Sequence, residues 1–279
     1  MSVKQSAIIT GAGQGIGAAI GRKLAARGIN ILIADLNETT GSKVVQELID
    51  TFGVDAIFVK TDVSNEEDVK NMVQAAVDRW GRLDYACNNA GAPEAMARSE
   101  ENVPVDTFDR MYAINQRGVW LCQKYECLQM QKQEARTVTL TPSNRTVLSR
   151  GSVVNISSVN GITGLGLPGY SAAKAAVQSL TRTGTQFYGP WHIRVNAVSP
   201  GAILSDGFPH WLKTLAPDIR AFIENDIIKA CPAKRQAYPE EIADTVSWLL
   251  SDESTFMNGS NVTCDGGFTA TRFSANPDA

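Results

Sequence analysis

Ser6-Ala7-Ile8-Ile9-Thr10-Gly11-Ala12-Gly13-Gln14-Gly15-Ile16-Gly17 decides the fold. A short apolar run stops at Thr10, glycine then fills every second position from 11 to 17, and a helix-type pattern follows to Arg27. That order reads as strand, tight turn, helix. Gly11, Gly15 and Gly17 let the backbone approach a pyrophosphate, and the first turn of the helix, opened by Gln14 and Ile16, offers free N–H groups at its positive dipole end. A glycine-rich string by itself also fits an ordinary turn. Its context adds weight: Asp35 closes the next apolar run, Asn30 to Asp35, at the spacing of the acid that bonds an adenosine ribose. A carboxylate there accepts hydrogen bonds from the ribose hydroxyls and repels a 2′-phosphate, and Gln14, Leu36 and Asn37 supply no cation to offset that repulsion. The expected cofactor is NAD(H), with NADP(H) disfavoured by Asp35.

Working outward, further strand-type runs are Ala56 to Thr61, Leu83 to Cys87, Ser152 to Ile156, Ile193 to Ala197 and Asn261 to Cys264. Most are β-branched and uninterrupted, as parallel strands covered on both faces should be. Helical patterns lie between them at Thr40 to Phe52, Glu66 to Trp80, Pro104 to Gln131, Tyr170 to Phe187 and Pro239 to Leu250. The Glu66 helix carries Val69, Met72, Val73, Ala76 and Val77 on one side, and Ser64 with Glu67 has the spacing of a capping box. Alternating strands and helices mean right-handed crossovers and an α/β fold, a doubly wound parallel sheet in a single domain spanning 1–279. Two segments break the rhythm. Residues 132–150 are polar and threonine-rich and read as an inserted loop; residues 202–235 read as short helices forming a substrate lobe or lid. Residues 273–279 read as a polar tail.

Composition excludes other classes. The chain has 279 residues, is 43% hydrophobic and 20% charged, and carries 26 basic against 29 acidic side chains. Nothing in that balance forms an electrostatic footprint for nucleic acid. No apolar stretch approaches a membrane span and the amino terminus lacks a secretory pattern, so a cytoplasmic protein without a membrane partner is expected. Five cysteines without a CxxC pair and two histidines signal neither a disulfide framework nor a metal site.

Tyr170-Ser171-Ala172-Ala173-Lys174 places a phenol and an ammonium on one helix face. A phenol with a pKa near 10 is a poor base at neutral pH. A cation about 6 Å away is worth roughly 2–3 kcal/mol at an effective dielectric of 20, enough to bring Tyr170 toward the working pH. A packed tyrosine beside a solvated lysine is the other reading. Ser157, closing the strand thirteen residues upstream, favours chemistry, because ligands bind at strand carboxyl ends in open α/β sheets.

With these residues in view, the chain resembles the short-chain dehydrogenase/reductase family from about Ser6 to Thr269. The shared motifs are Thr10-Gly11-x-x-x-Gly15-x-Gly17, Asp62-Val63, Asn88-Asn89-Ala90-Gly91, Asn115, Ser157, Tyr170-x-x-x-Lys174, Pro200-Gly201 and Asp265-Gly266-Gly267. The resemblance implies a Rossmann-type sheet of seven strands in the order 3-2-1-4-5-6-7. It implies Tyr170 as general acid/base, Ser157 as hydrogen-bond partner of the substrate oxygen, and Lys174 as a ligand of the nicotinamide ribose. Asn115 would hold a water that links Lys174 to solvent. Asp62 and Val63 would meet the adenine, Asn89, Ala90 and Gly91 the adenosine side, and Pro200, Ile203 and Ser205 the nicotinamide. A homotetramer, or a homodimer, is also implied.

Substrate-facing positions are expected in Ser158 to Pro168, Ala92 to Met96 and Ile203 to Lys234, with contacts from Ser157, Val159, Leu165, Tyr170, Phe208 and Trp211 and no arginine cluster for phosphate or carboxylate. That suits a small-molecule alcohol or ketone that is apolar and cyclic, such as a terpenoid, steroid-like or polyketide-derived compound. Two other readings stay open: a non-catalytic NAD(H)-binding sensor or scaffold, and dehydration or epimerisation by the same four residues.

Overall fold

β1 (Ser6–Thr10) is buried along its whole length. Its consecutive isoleucines face opposite ways, Ile8 into one hydrophobic core with Leu32, Met72 and Leu121, and Ile9 into a second with Ile20, Leu48 and Leu249. This is the period-two pattern of a strand covered on both faces. The computed structural model describes residues 4–96, 99–165, 167–205, 212–213, 215–229 and 231–270. Phe208, Trp211 and the tail at 273–279 lie outside the described residues.

The central sheet is parallel, with β3 (Ala56–Lys60), β2 (Asn30–Asp35), β1, β4 (Tyr85–Asn88), β7 (Gly151–Ile156), β8 (Ile193–Pro200) and β9 (Asn261–Cys264) in that spatial order. Counting only its own strands, this is the expected order 3-2-1-4-5-6-7. β1 pairs with β2 on one side, Ser6 opposite Asn30, and with β4 on the other, Ala7 opposite Tyr85. The winding direction reverses between β1 and β4, which opens a crevice above their carboxyl ends.

Helices α1 (Gly15–Ala25), α2 (Glu38–Phe52) and α3 (Glu66–Trp80) form the first crossovers. The cap of α3 corrects the sequence reading. Asn65, not Ser64, accepts the Glu67 and Asp68 N–H groups, while the Ser64 hydroxyl donates to Asp62. An Asx side chain one residue nearer the helix reaches those donors, and Asp62 holds Ser64 away.

The long helical pattern at Pro104 to Gln131 is also subdivided. α4 (Val105–Met111) runs into a π-helical turn at Tyr112–Gly118 and then into α5 (Val119–Gln131). α6 (Pro168–Tyr188) follows β7, with Pro168 in its first turn. α7 (Pro217–Phe222), which runs into a π-helical segment at Ile223–Ile228, and α8 (Pro239–Leu250) follow.

Residues 132–150 contain a β-hairpin rather than an irregular loop: β5 (Arg136–Leu140) pairs antiparallel with β6 (Arg145–Ser149). Alternating threonines concealed the strand period, because both faces of the ribbon carry β-branched side chains. Arg136 anchors it, donating to Asp252 at 3.1 and 3.2 Å and lying 3.4 Å from the buried Asp84 that precedes β4. The hairpin therefore sits at the amino edge of the sheet, opposite the crevice.

Candidate active site

The glycine loop is held from three directions. Asp35 Oδ2 accepts the Gly13 N–H at 2.8 Å and Oδ1 accepts the Asn37 N–H at 2.9 Å. Thr10 Oγ1 accepts the N–H groups of Asn89 and Ala90, while Asn89 Nδ2 donates to the Thr10 and Gly11 carbonyls, all at 3.0 Å. A Cβ on Gly17 would stand 2.5 Å from the Gly11 carbonyl oxygen, so only glycine lets the helix approach the loop this closely. Gly15 takes φ 57°, in the left-handed region.

The start of α1 differs from those of α2 and α3. Asn37 and Asn65 cap the latter two, with acidic residues in their first turns. Gln14 makes no side-chain cap bond to α1, whose first turn holds no acid. Its leading N–H groups thus have no capping side chain, an arrangement suited to an anion.

The remaining cofactor candidates lie along the same edge. Leu36 is exposed after β2. Asp62, after β3, accepts both the N–H and the hydroxyl of Ser64. Val63 is buried against Gly118. The backbone of Ala90 lies against Gly11.

A cavity of about 480 Å³ opens beside this loop, within the range of small-ligand sites. Gln14, Ile16, Asn89, Gly91, Pro200, Ile203 and Ser205 line its cofactor side, and Ser157, Tyr170 and Lys174 its other side, with Val159 and Leu165 among the apolar walls. Asn115 stands behind it, fully buried in the π-helical turn, accepting the Ala92 N–H at 2.8 Å and donating to the Ala92 carbonyl at 2.9 Å. Gly91 keeps that side chain close to Lys174: a Cβ there would lie 2.9 Å from Asn115 Oδ1 and 3.7 Å from Lys174 Nζ.

Electrostatics here depart from the expectation that Lys174 draws the Tyr170 phenol down. Burial raises the Tyr170 pKa, partly opposed by a side-chain hydrogen bond with Ser158. Burial also lowers Lys174 to about 8. The ammonium lies over the phenol ring, 5.5 Å from its centroid, and donates to the Ile156 carbonyl at 2.8 Å. Loss of water outweighs a cation engaged elsewhere. Ser157 is likewise engaged, donating to the Lys174 carbonyl at 2.8 Å and accepting from Gln178 at 3.3 Å.

Known proteins resemble this chain in sequence and fold. The family model described as Enoyl-(Acyl carrier protein) reductase matches residues 11–269. A 2,5-dichloro-2,5-cyclohexadiene-1,4-diol dehydrogenase of Sphingobium indicum is 37% identical over 264 residues, covering 94% of this chain and 96% of that protein. The crystal structure of levodione reductase superposes with a TM-score of 0.86 at 33% identity, over 96% of this chain and 98% of that one. That of NAD+-bound xylitol dehydrogenase gives 0.82 at 30% identity, over 96% and 100%. The chain belongs to the short-chain dehydrogenase/reductase family. It is an oxidoreductase acting on CH–OH groups, of a family that uses NAD(P).

In this short-chain dehydrogenase/reductase the structure adds residues that spacing did not reveal. Glu94, in the loop after β4, lines the cavity and accepts the N–H groups of Gly169 and Tyr170. Glu126, fully buried in α5, accepts from Asn88 at 3.0 Å. Asn88 also donates to Asn155, which in turn donates to Gln123 and Thr181. Glu94 is an isolated polar residue in a loop and Glu126 one in a helix, where a polar residue inside the apolar pattern of α5 was the trace available. Among the described residues, no cluster of His, Cys, Asp or Glu is placed to hold a metal ion, and no helix is long and apolar enough to cross a membrane.

Proposed function

We propose that this protein interconverts a secondary alcohol and a ketone on an apolar cyclic small molecule, with NAD(H) as hydride carrier and Tyr170 as general acid/base. The observation carrying this reading is the single cavity that joins the glycine loop to Ser157, Tyr170 and Lys174 between apolar walls. Bound nicotinamide supplies or accepts the hydride. Asp35, held by Gly13 and Asn37, presents a negative edge at the end of β2 and supports NAD(H) over NADP(H). Lys174 holds the ribose and contributes positive charge beside the phenol. In oxidation Tyr170 takes the alcohol proton as its phenolate, the form that burial disfavours and the positive charge of Lys174 favours, as the hydride leaves; in reduction the neutral phenol gives its proton to the carbonyl oxygen. Ser157 steadies the same oxygen once its hydroxyl turns from the Lys174 carbonyl. Asn115, locked to Ala92, keeps Gly91 and Lys174 in register and closes the site from behind.

Exposed Val105, Phe108 and Tyr112 on α4 and its π-helical continuation, with Phe187 on α6, support a homo-oligomer, read as a tetramer. Free cysteines, four of the five buried, support a reducing compartment such as the cytoplasm.

The test is Tyr170→Phe. Turnover of ring alcohols with NAD+ should fall at least about 100-fold, while fluorescence titration shows NADH binding retained and tighter than NADPH binding. Turnover at the wild-type rate would remove Tyr170 from the mechanism.

A further inference from the structure

Among the described residues the cavity wall contains one carboxylate, and its position is unusual. Glu94 is 2% exposed, with Oε1 3.3 Å from the Gly169 nitrogen and Oε2 2.6 Å from the Tyr170 nitrogen. Leu167 gives α6 no side-chain cap, so Glu94 supplies it from a loop 75 residues earlier in sequence. The negative charge also suits the positive end of that helix. An ionised carboxyl offers about four acceptor positions. Two are filled by the backbone, which leaves acceptor capacity on a side chain that lines the substrate cavity with Ser157, Tyr170 and Lys174. When a ligand displaces water, that capacity must meet a donor or remain unpaired at a cost. A saturated ring carbon offers no donor, a ketone oxygen offers none, and a carboxylate would repel it. A hydroxyl fits.

Resting on the ring-alcohol reading above, we propose that Glu94 is a specificity-determining residue that accepts a hydrogen bond from a second hydroxyl of the substrate. The preferred class is then a cyclic diol or more highly hydroxylated ring, with ring monoalcohols weaker and ring carboxylates excluded. Glu94 takes no proton in the reaction. It orients the ring from one side while the reacting carbinol faces Tyr170.

The experiment compares kcat/KM with NAD+ for cyclohexanol, the cyclohexane-1,2- and 1,4-diols and 4-hydroxycyclohexanecarboxylate, using the full chain and its Glu94→Gln and Glu94→Asp variants. Wild type should favour at least one diol over cyclohexanol by about tenfold or more, mainly through KM, and should reject the carboxylate. In Glu94→Gln the diol-to-cyclohexanol ratio should collapse toward one and the carboxylate should gain relative to cyclohexanol; Glu94→Asp should recover part of the diol preference. Loss of the helix cap alone lowers all substrates by a common factor and leaves the ratios untouched, so an unchanged ratio in Glu94→Gln overturns the proposal. So does a wild type with no diol preference, which decides the matter even if Glu94→Gln fails to fold. Wild type that binds NADH yet oxidises no ring alcohol would instead refute the underlying reading, and the role of Glu94 with it.

Discussion

On the β1–β3 side of the crevice the ligand surface is backbone, held by half-exposed contacts such as Asp35 to Gly13 and Asn37. On the β4–β7 side it is side chain, held by buried contacts: Asn115 to Ala92, Ser157 to the Lys174 carbonyl, Lys174 to the Ile156 carbonyl. The first half relies on shape, since glycine and an open helix end suffice to receive phosphates. The second relies on desolvated polar groups, whose protonation shifts because water is absent. Steric change should therefore break one half, and charge change the other.

Gly17→Val tests the steric half and should have the largest effect. Its branched side chain would enter space where even a Cβ meets Gly11 and Ala12 within 3 Å. Calorimetric titration should show NADH affinity reduced at least about 100-fold, with about 1–3 kcal/mol of stability lost to overpacking.

Glu126→Gln sharpens the electrostatic half. Burial pushes Glu126 up to about 8 from 4.5, so the folded protein keeps a proton that the unfolded chain releases above pH 4.5. Its contribution to stability is intact below that value and is lost as pH rises toward 8. Urea titrations between pH 5 and 8 should show wild type losing on the order of 3 kcal/mol from this group. Glutamine, neutral and of similar shape, should remove that slope. A slope equal to wild type would place the titration elsewhere.

The smallest effect is expected from Arg136→Ala, at the sheet edge far from both halves. Losing its contacts to Asp252 and Asp84 should cost about 1–2 kcal/mol by denaturant titration, with kcat/KM unchanged. A fall in kcat/KM would tie the hairpin to the crevice.

The same contrast explains what could be read without coordinates. The cofactor side is legible because backbone geometry is written locally: four glycines, a strand before them, a helix after, and Asp35 at a fixed distance. Tyr170 and Lys174 were legible by helical spacing, and Ser157 by its place at a strand end. Glu94 lies in Ala92 to Met96, a stretch expected to face the substrate, but its bonds to α6 were not legible, because those partners lie 75 and 76 residues away. The Glu126 network was hidden for the same reason, its members coming from β4, β7, α5 and α6. The Tyr170 pKa is raised rather than lowered because spacing reports a nearby cation and says nothing about burial. The hairpin was missed because its threonines read as polar when they are also β-branched.

The π-helical turn at Tyr112–Gly118 has a geometric consequence. Each extra residue in a helix is a phase shift of about 100° around its axis, so the faces of α4 and α5 are not continuations of one another. Asn115 occupies the seam, where the register slips and the side chain is directed to Ala92. A single-residue deletion there would restore a regular helix and rotate one face relative to the other. In this protein the back wall of the site is set by a count of residues as well as by their identity.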